Sequence, residues 1–144
     1  MGVEVLLRGH QPILMDFGII DGVRPADPGA GHFPYESFEP ARYAMGDTRR
    51  FAERMALVRM QPRGDLSSTG YALADPGREY LVLDPGETAE PVTVTVDAGS
   101  YALEWYAVDA RATTGAGTVT ADRTDTISAG SPVDGPAVLY LRSI

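Results

Sequence analysis

Residues 70–86 read GYALADPGREYLVLDPG, and this stretch decides the fold. It holds two short apolar runs, residues 70–74 and 79–83, each followed by the triplet Asp-Pro-Gly. Proline presets φ at the second position of a tight turn, and glycine accepts a positive φ at the third. Short apolar runs bounded by such turns are typical of β-strands. The stretch therefore predicts two strands, each ending in a tight turn.

The same pattern continues to the C-terminus, with no helical periodicity between the runs. Short strands at close spacing are typical of an antiparallel sandwich. We therefore predict a mainly β fold, an antiparallel Ig-like β-sandwich of about seven strands behind a helix-containing N-terminal segment. The predicted strands cover residues 70–74, 79–83, 91–97, 101–108, 117–121, 123–128 and 137–142.

The strand around Trp105 indicates which face is buried. Side chains alternate between the two faces of a strand, so one set of alternate residues should face the core. Glu104 and Tyr106 belong to the opposite face. The set predicted to face the core comprises Tyr101, Leu103, Trp105 and Ala107.

The first 65 residues differ in character from the rest. Residues 3–7 and 12–15 are apolar runs too short to distinguish a buried strand from a helix end. Residues 21–35 contain three prolines and three glycines and predict a loop. We therefore divide the chain into an N-terminal segment, residues 1–65, and a β-sandwich domain, residues 66–144.

A helix is predicted from Glu39 to about Met60, because Pro40 suits a first helical position and Pro62 stops a helix. Alternatively, Gly46 divides this helix and the next residue caps a second one. The apolar positions recur at three- and four-residue steps, which gives one stripe that must pack against something. The stripe comprises Ala41, Ala44, Met45, Thr48, Phe51, Ala52, Met55 and Val58.

Composition excludes several classes of function. The chain has 144 residues, no cysteine and a formal net charge of -8. Without cysteine there are no disulfides, thiolate metal sites or cysteine nucleophiles. The acidic balance makes nucleic acid an unfavourable partner, because binding begins by neutralising phosphates. No apolar run approaches the roughly 20 residues that span a bilayer, and no signal peptide is visible, so we expect no membrane partner and leave the cellular location open.

Several blocks of the chain resemble one family. The strongest is residues 65–82, DLSSTGYALADPGREYLV; the others are residues 7–16, 49–55, 99–106 and 135–141. These blocks resemble the C-terminal region of the apiosidase-like glycoside hydrolases, in which a (β/α)8 barrel precedes a small β domain.

The resemblance implies that this chain looks like the tail of a larger enzyme. Residues 7–16 would lie near the last barrel strand, and the arginine-rich helix would be the last barrel helix. A barrel needs eight strands and typically about 250 residues, so most of it is missing. The resemblance therefore implies a non-catalytic accessory module of a glycoside hydrolase-like protein. The N-terminal apolar surfaces should drive dimerisation, repack on the sandwich or be partly disordered.

The resemblance also implies possible ligands. The β domain of this family is often labelled a collagen-binding domain, so a collagen or matrix ligand is one alternative and a carbohydrate ligand another. A homo-oligomer is the third partner that we consider, because a second copy would cover the N-terminal apolar surfaces.

No complete catalytic site is evident. Glycoside hydrolysis needs two carboxyl groups about 5 to 9.5 Å apart, and Asp16 is the only acid that the resemblance places like a site residue. His10 could act as a base, and a site between protomers that combines it with Asp16 and loop acids is the alternative interpretation. Ser67 or Ser68 could be a nucleophile, but neither lies in a glycine-flanked elbow. We therefore assign no catalytic residue, and we treat the histidines, His32 included, as structural.

The remaining motifs have a structural and a functional interpretation. Asp109, Asp122 and Asp125 could bind calcium, but their spacing does not match the 12-residue loop pattern. Residues 63–65 spell Arg-Gly-Asp, a cell-adhesion tripeptide that also arises by chance. We assign no metal ligand, no cofactor-binding residue and no cofactor.

An aromatic platform could stack on sugars, although most of these rings should pack in the core. Tyr106 and Tyr140 are the two that we predict to face solvent. The set comprises Tyr71, Tyr80, Trp105, Tyr106 and Tyr140.

Overall fold

The computed structural model describes residues 2–10, 12–13 and 39–144. These residues form two α-helices, α1 (Gly2–Leu7) and α2 (Glu39–Arg54), and short 3-10 helices at Leu57–Arg59 and Gly64–Leu66, on either side of the first strand. The same residues form eight strands, numbered in chain order. They are β1 (Gln61–Pro62), β2 (Ala72–Asp75), β3 (Glu79–Asp84), β4 (Val92–Val96), β5 (Gly99–Ala107), β6 (Ala112–Ala121), β7 (Asp125–Ala129) and β8 (Ala137–Ser143).

The strands form two antiparallel sheets. The larger sheet has six strands in the order β1-β2-β3-β8-β5-β6, and the smaller one pairs β4 with β7. All the pairings are antiparallel. The prediction of a mainly β, sandwich-like fold behind a helical segment is confirmed, and each of the seven predicted strands is present.

The two Asp-Pro-Gly turns behave as predicted. Gly77 and Gly86 have φ values of 78° and 71°, in the region that glycine adopts without strain. The first turn joins β2 to β3 as a hairpin. The second turn leads from β3 in the larger sheet towards β4 in the smaller one, so it starts the crossing that makes two layers.

The smaller sheet covers one face of the larger sheet, which we call the inner face. The predicted core residues Tyr101 and Trp105 are buried there, with Val94 of β4 and Leu139 of β8, and we call this cluster the inner core. Tyr80 lies edge-on to Tyr101, with ring centroids 5.6 Å apart. Alternation along the strands therefore identified this core correctly.

The helices cover the opposite face of the larger sheet, which we call the outer face. Phe51 of α2 packs edge-on against Tyr106 and Tyr140, at centroid distances of 5.4 and 6.3 Å. Leu6 and Leu7 of α1 belong to the same buried cluster, which we call the outer core. The described N-terminal helices are thus packed on the sandwich; the division of the chain at residue 65 remains a prediction.

The expectation that Tyr106 and Tyr140 face solvent is wrong. Each is only 3% exposed. The alternation did place Tyr106 on the opposite face from Trp105, but α2 covers that face. Burial of these two rings therefore depends on a helix distant in sequence.

The helix boundaries also differ from those predicted. Helix α2 runs unbroken through Gly46 and ends at Arg54, before the predicted Met60. Its end has a clear cause, because the Ala56 amide donates to Glu79 Oε2 at 2.9 Å and so leaves the helical hydrogen-bond pattern. Val58, predicted for the buried stripe, is 97% exposed as a result. Residues 3–7, an apolar run that fits either a buried strand or a helix end, belong to helix α1.

Candidate functional site

An open polar groove lies beside the connection from β3 to β4, and we call it the end groove. It consists of two adjoining cavities of about 390 and 450 Å³. Residues 130–131 and 133–135 line one cavity, and residues 68, 69 and 71 line part of the other. Four residues line both cavities, which are therefore parts of one depression: Asp84, Glu87, Thr88 and Glu90.

The second Asp-Pro-Gly turn builds the base of the end groove. Asp84 is 7% exposed, and its Oδ1 accepts a hydrogen bond from the Gly86 amide at 2.9 Å. A β-carbon on Gly86 would collide with the backbone of Gly135, and both glycines have positive φ. The close approach of these two backbones forms one wall, so any side chain at Gly86 would force it apart.

The opposite wall comes from the segment before β2. The Ser68 amide donates to the Thr93 carbonyl, and the Thr93 amide donates to Ser68 Oγ, each at 3.0 Å. The hydroxyls of Ser67 and Thr69 are 3.0 Å apart. These serines fasten the segment to β4, which is a structural use and does not activate either as a nucleophile.

The end groove presents hydrogen-bond acceptors. Glu87 and Glu90 are exposed on it, and Tyr71 is half-buried with the Arg8 guanidinium 5.1 Å from its ring centroid. Carboxylates accept hydrogen bonds from hydroxyl groups, and an aromatic ring supplies apolar area with a polar tip. The arrangement suits a ligand rich in hydroxyl donors, whereas an anionic ligand would be repelled.

The other buried carboxylates attach α2 to the larger sheet. Asp47 is 4% exposed, and its oxygens accept hydrogen bonds from Arg111 at 3.1 and 3.2 Å. Glu79 Oε2 accepts a hydrogen bond from the Ala56 amide, and Glu79 Oε1 lies 3.4 Å from the Tyr140 hydroxyl oxygen. These acids hold two elements together.

Arg111 is strained as well as paired. Its φ of 53° is the one positive value at a non-glycine residue in the described chain. Its guanidinium stacks 4.0 Å from the centroid of Tyr43 on α2. The strained backbone is thus offset by contacts that reach across to the helix.

The rim of the outer core contains a second ion pair. Arg54 donates to both carboxylate oxygens of Glu104 at 2.8 Å. The hydrogen bond from Arg54 lowers the pKa of Glu104, against the opposing effect of burial. Glu104 is therefore charged to a lower pH than an ordinary glutamate.

Burial also acts on the tyrosines of the outer core. It raises the pKa of Tyr106, and the neighbouring Asp47 carboxylate adds to the rise. The Tyr106 hydroxyl is buried without a well-formed hydrogen bond. Burial likewise raises the pKa of Tyr140, with Glu79 adding to it.

The catalytic candidates from the sequence are not brought together by the described structure. His10 is exposed, and its backbone amide donates to the Val5 carbonyl at 3.2 Å. Asp16 and His32 lie outside the described residues, as does the loop at residues 21–35. The site between protomers therefore stays a hypothesis.

The calcium and adhesion candidates have local roles or none. Asp109 and Asp122 are exposed, and Asp125 accepts the Thr126 amide at 2.9 Å. Across residues 2–10, 12–13 and 39–144, no three acidic or histidine side chains are arranged to hold a metal ion. In the Arg-Gly-Asp tripeptide, Arg63 donates to both carboxylate oxygens of Asp65 at 2.8 Å, so the two charges neutralise each other.

The five aromatic candidates do not form an exposed platform. Tyr80 and Trp105 are buried on the inner face, and Tyr106 and Tyr140 on the outer face. Tyr71 alone of the five lines the end groove. No prediction from the sequence covered the groove acids Glu87 and Glu90, although they lie one and four residues after the second Asp-Pro-Gly turn and could have been noticed there.

Comparison with known proteins places the fold but not a family. No family model matches the chain, and no curated protein matches it. Among solved structures it is similar to a glycoside hydrolase, with 14% identity and a TM-score of 0.58. The match covers 84% of this chain and 30% of that chain. At this identity the similarity shows the fold alone, and this chain spans about a third of that neighbour's length.

None of the described helices combines the length and the apolar character that a membrane span requires.

Proposed function

We propose that this chain is a non-catalytic accessory module of a glycoside-hydrolase-like protein and that it binds a carbohydrate in the end groove. The observation that carries the proposal is the groove itself, an open depression whose shared lining is three acids and a threonine. The similarity to one part of a longer chain named a glycoside hydrolase supports an accessory position. The family resemblance of residues 65–82 supports the same assignment.

The arrangement of the carboxylates supports a non-catalytic role. Hydrolysis of a glycoside needs one acid to protonate the leaving oxygen and a second carboxylate across the sugar. In the described chain, the buried acids Asp47, Glu79 and Asp84 each hold a structural partner. Their hydrogen bonds fix the helix or the turn, so these carboxylates already have protein partners.

The charge of the groove narrows the class of carbohydrate. Glu87 and Glu90 are exposed acceptors on a chain with net charge -8. Acidic sugars would be repelled, whereas neutral sugars can donate their hydroxyl hydrogens to the carboxylates. We therefore expect a neutral oligosaccharide, with Tyr71 contacting one ring edge or face.

The test is titration of the whole chain with a panel of neutral oligosaccharides, in which calorimetry measures binding and NMR chemical shifts locate it. Saturable binding to at least one is expected, with the largest shifts at residues 84–91. The double variant Glu87→Gln, Glu90→Gln should weaken it by about tenfold or more, because lost charge-assisted hydrogen bonds are worth about 1.5 to 3 kcal/mol each. The matched control is Glu53→Gln, an exposed acid on α2, which should bind as the unchanged chain does.

Two results would overturn the proposal. Binding that is absent across the panel, or unchanged in the double variant, would remove the end groove as the site. Turnover of an aryl glycoside by the purified chain would instead show an enzyme, and loss of that turnover in Asp16→Asn would support the site between protomers.

A further inference from the structure

The exposed strand edges of the two sheets are protected unequally. An unpaired edge can add a strand from another chain, and proteins block this with short strands, proline, charge or a covering segment. Strand β1 has two residues and contains Pro62. Strand β4 is covered by the Ser67–Val94 bridge and the hydrogen bonds of Ser68. Strand β7 has five residues and begins with Asp125. Three edges thus carry a recognised protection.

Strand β6 is the exception. It has ten residues, ATTGAGTVTA, with no charged residue and no proline. It pairs with β5 on one side, and the described residues make no backbone pairing on its other side. A bulge at Thr114 disturbs only its beginning, because Gly115 resumes the register opposite Trp105. Within the described part of the chain, residues 115–121 therefore form a regular, neutral edge with no backbone partner on that side.

We infer that two copies of this chain pair through β6, antiparallel about a two-fold axis at Thr118, so that the six-stranded sheet continues from one copy into the other. A two-fold axis makes the edge its own complement, and closed two-fold dimers are the commonest oligomers. The occupant is a second copy and not a polyanion or a basic peptide, since β6 carries no charge to select either.

The side chains of β6 fit this register. With Thr118 opposite its own copy, Val119 of each chain faces Gly117 of the other. A methyl group on Gly117 would meet no atom within 4 Å, so there is room beside it for the aliphatic side chain of Val119. Thr118 is exposed on the outer face, so its side chain can pair with Thr118 of the second copy, and threonine pairs across strands are favourable.

Charge favours this edge over the rest of the surface. Two copies with a net charge of -8 each repel in most orientations. Strand β6 offers a stretch where the backbones can approach without bringing carboxylates together. The lack of charge on β6 thus selects this contact among those available.

The experiment is light scattering on a size-exclusion column over a wide range of concentrations, with the unchanged chain and two variants. The unchanged chain should show a monomer–dimer equilibrium. Thr118→Lys places two lysines opposite each other and should raise the dissociation constant about tenfold or more, since directly opposed like charges are destabilising. The matched control is Thr126→Lys, an exposed threonine on β7, which should leave the equilibrium unchanged.

A second readout covers the case in which Thr118→Lys folds poorly. In the unchanged chain, hydrogen exchange at the amides of residues 115–121 should slow as concentration rises, while exchange in β4 should not change. A monomer at all concentrations would overturn the inference. Equal dissociation constants for the dimers of the Thr118→Lys and Thr126→Lys variants would overturn it too. Concentration-dependent protection elsewhere with none at β6 would also overturn it.

Discussion

The two faces of the six-stranded sheet are both buried, but they are closed in different ways. The inner face meets a second sheet, and its polar groups are tied to nearby backbone. Tyr80 Oη accepts the amides of Gly77 and Asp97 at 2.8 and 3.0 Å. The outer face packs against α2, and two ion pairs link the helix to the sheet. Arg54 pairs with Glu104, 50 residues away in sequence, and Asp47 pairs with Arg111, 64 residues away.

This difference teaches where the fold is self-sufficient. The buried residues of the inner core all belong to strands of the two sheets, whereas the outer core also depends on helices, and α2 is held there by a few side-chain contacts. We therefore expect disruption of the inner core to unfold the whole chain. Disruption of the outer core should release α2 first and leave the sandwich standing.

The largest effect should come from the inner core. Trp105 is 3% exposed and packs in the inner cluster. Trp105→Ala should reduce the free energy of unfolding by about 3 to 5 kcal/mol, because it removes a large buried side chain and leaves a cavity. Chemical denaturation followed by circular dichroism would measure this. Loss of the helix signal alone, with the strand signal intact, would contradict the assignment of Trp105 to the self-sufficient core.

The outer face should respond more locally. Asp47→Ala leaves Arg111 without its carboxylate, and we expect a loss of about 1 to 3 kcal/mol, moderated because the Arg111 side chain is 35% exposed and can reach water. Hydrogen exchange should quicken in α2 and remain slow in β3 and β8.

The matched control for that variant is Asp65→Ala. Asp65 pairs with Arg63 at the surface, where solvent screening leaves an ion pair with little effect on stability. Equal losses in the two variants would show that the Asp47–Arg111 pair is no more important than a surface pair.

The hydroxyl groups of two buried tyrosines separate the faces further. Tyr80→Phe leaves two backbone amides without an acceptor and should cost about 1 to 2 kcal/mol. Tyr106→Phe removes a hydroxyl that lacks a well-formed hydrogen bond, so it should be close to neutral. Thermal or denaturant unfolding of both variants would decide this. A larger cost for Tyr106→Phe would reverse the comparison.

The smallest effect should be a pH dependence at the rim of the outer core. Arg54 lowers the pKa of Glu104, so the folded chain binds fewer protons there than the unfolded chain as the solution becomes acidic. The stabilisation is complete above the unfolded pKa of about 4.3 and is lost as pH falls through the lower, folded value. Glu104→Gln should therefore cost about 0.5 kcal/mol at neutral pH and less in acid.

Denaturation of the unchanged chain and of Glu104→Gln at a series of pH values would measure this difference. A difference that grows towards acid pH would contradict the sign of the shift.

The comparison also explains which sequence predictions succeeded. The strands at residues 79–83 and 101–108, and the turn at Gly77, follow from local rules: alternation, proline geometry and glycine at positive φ. The end of α2 could not be predicted in this way, because it depends on Glu79 capturing the Ala56 amide. The end groove was missed for a similar reason, since residues 84–91 and 130–135 meet only after β3 and β8 have paired.

The sequence by itself determined the strands, the tight turns, the face of β5 that carries Tyr101 and Trp105, and the acidic charge, because each follows from composition or from the local pattern of residues along one segment. The tertiary structure alone decided that Tyr106 and Tyr140 are buried and that Val58 is exposed. It also decided which acids fasten elements together and which line a groove. The physical reason is that alternation assigns a residue to one face of a strand, whereas burial of that face depends on what packs against it. Here the outer face is covered by α2, whose last residue, Arg54, lies 50 residues before its partner Glu104 on β5.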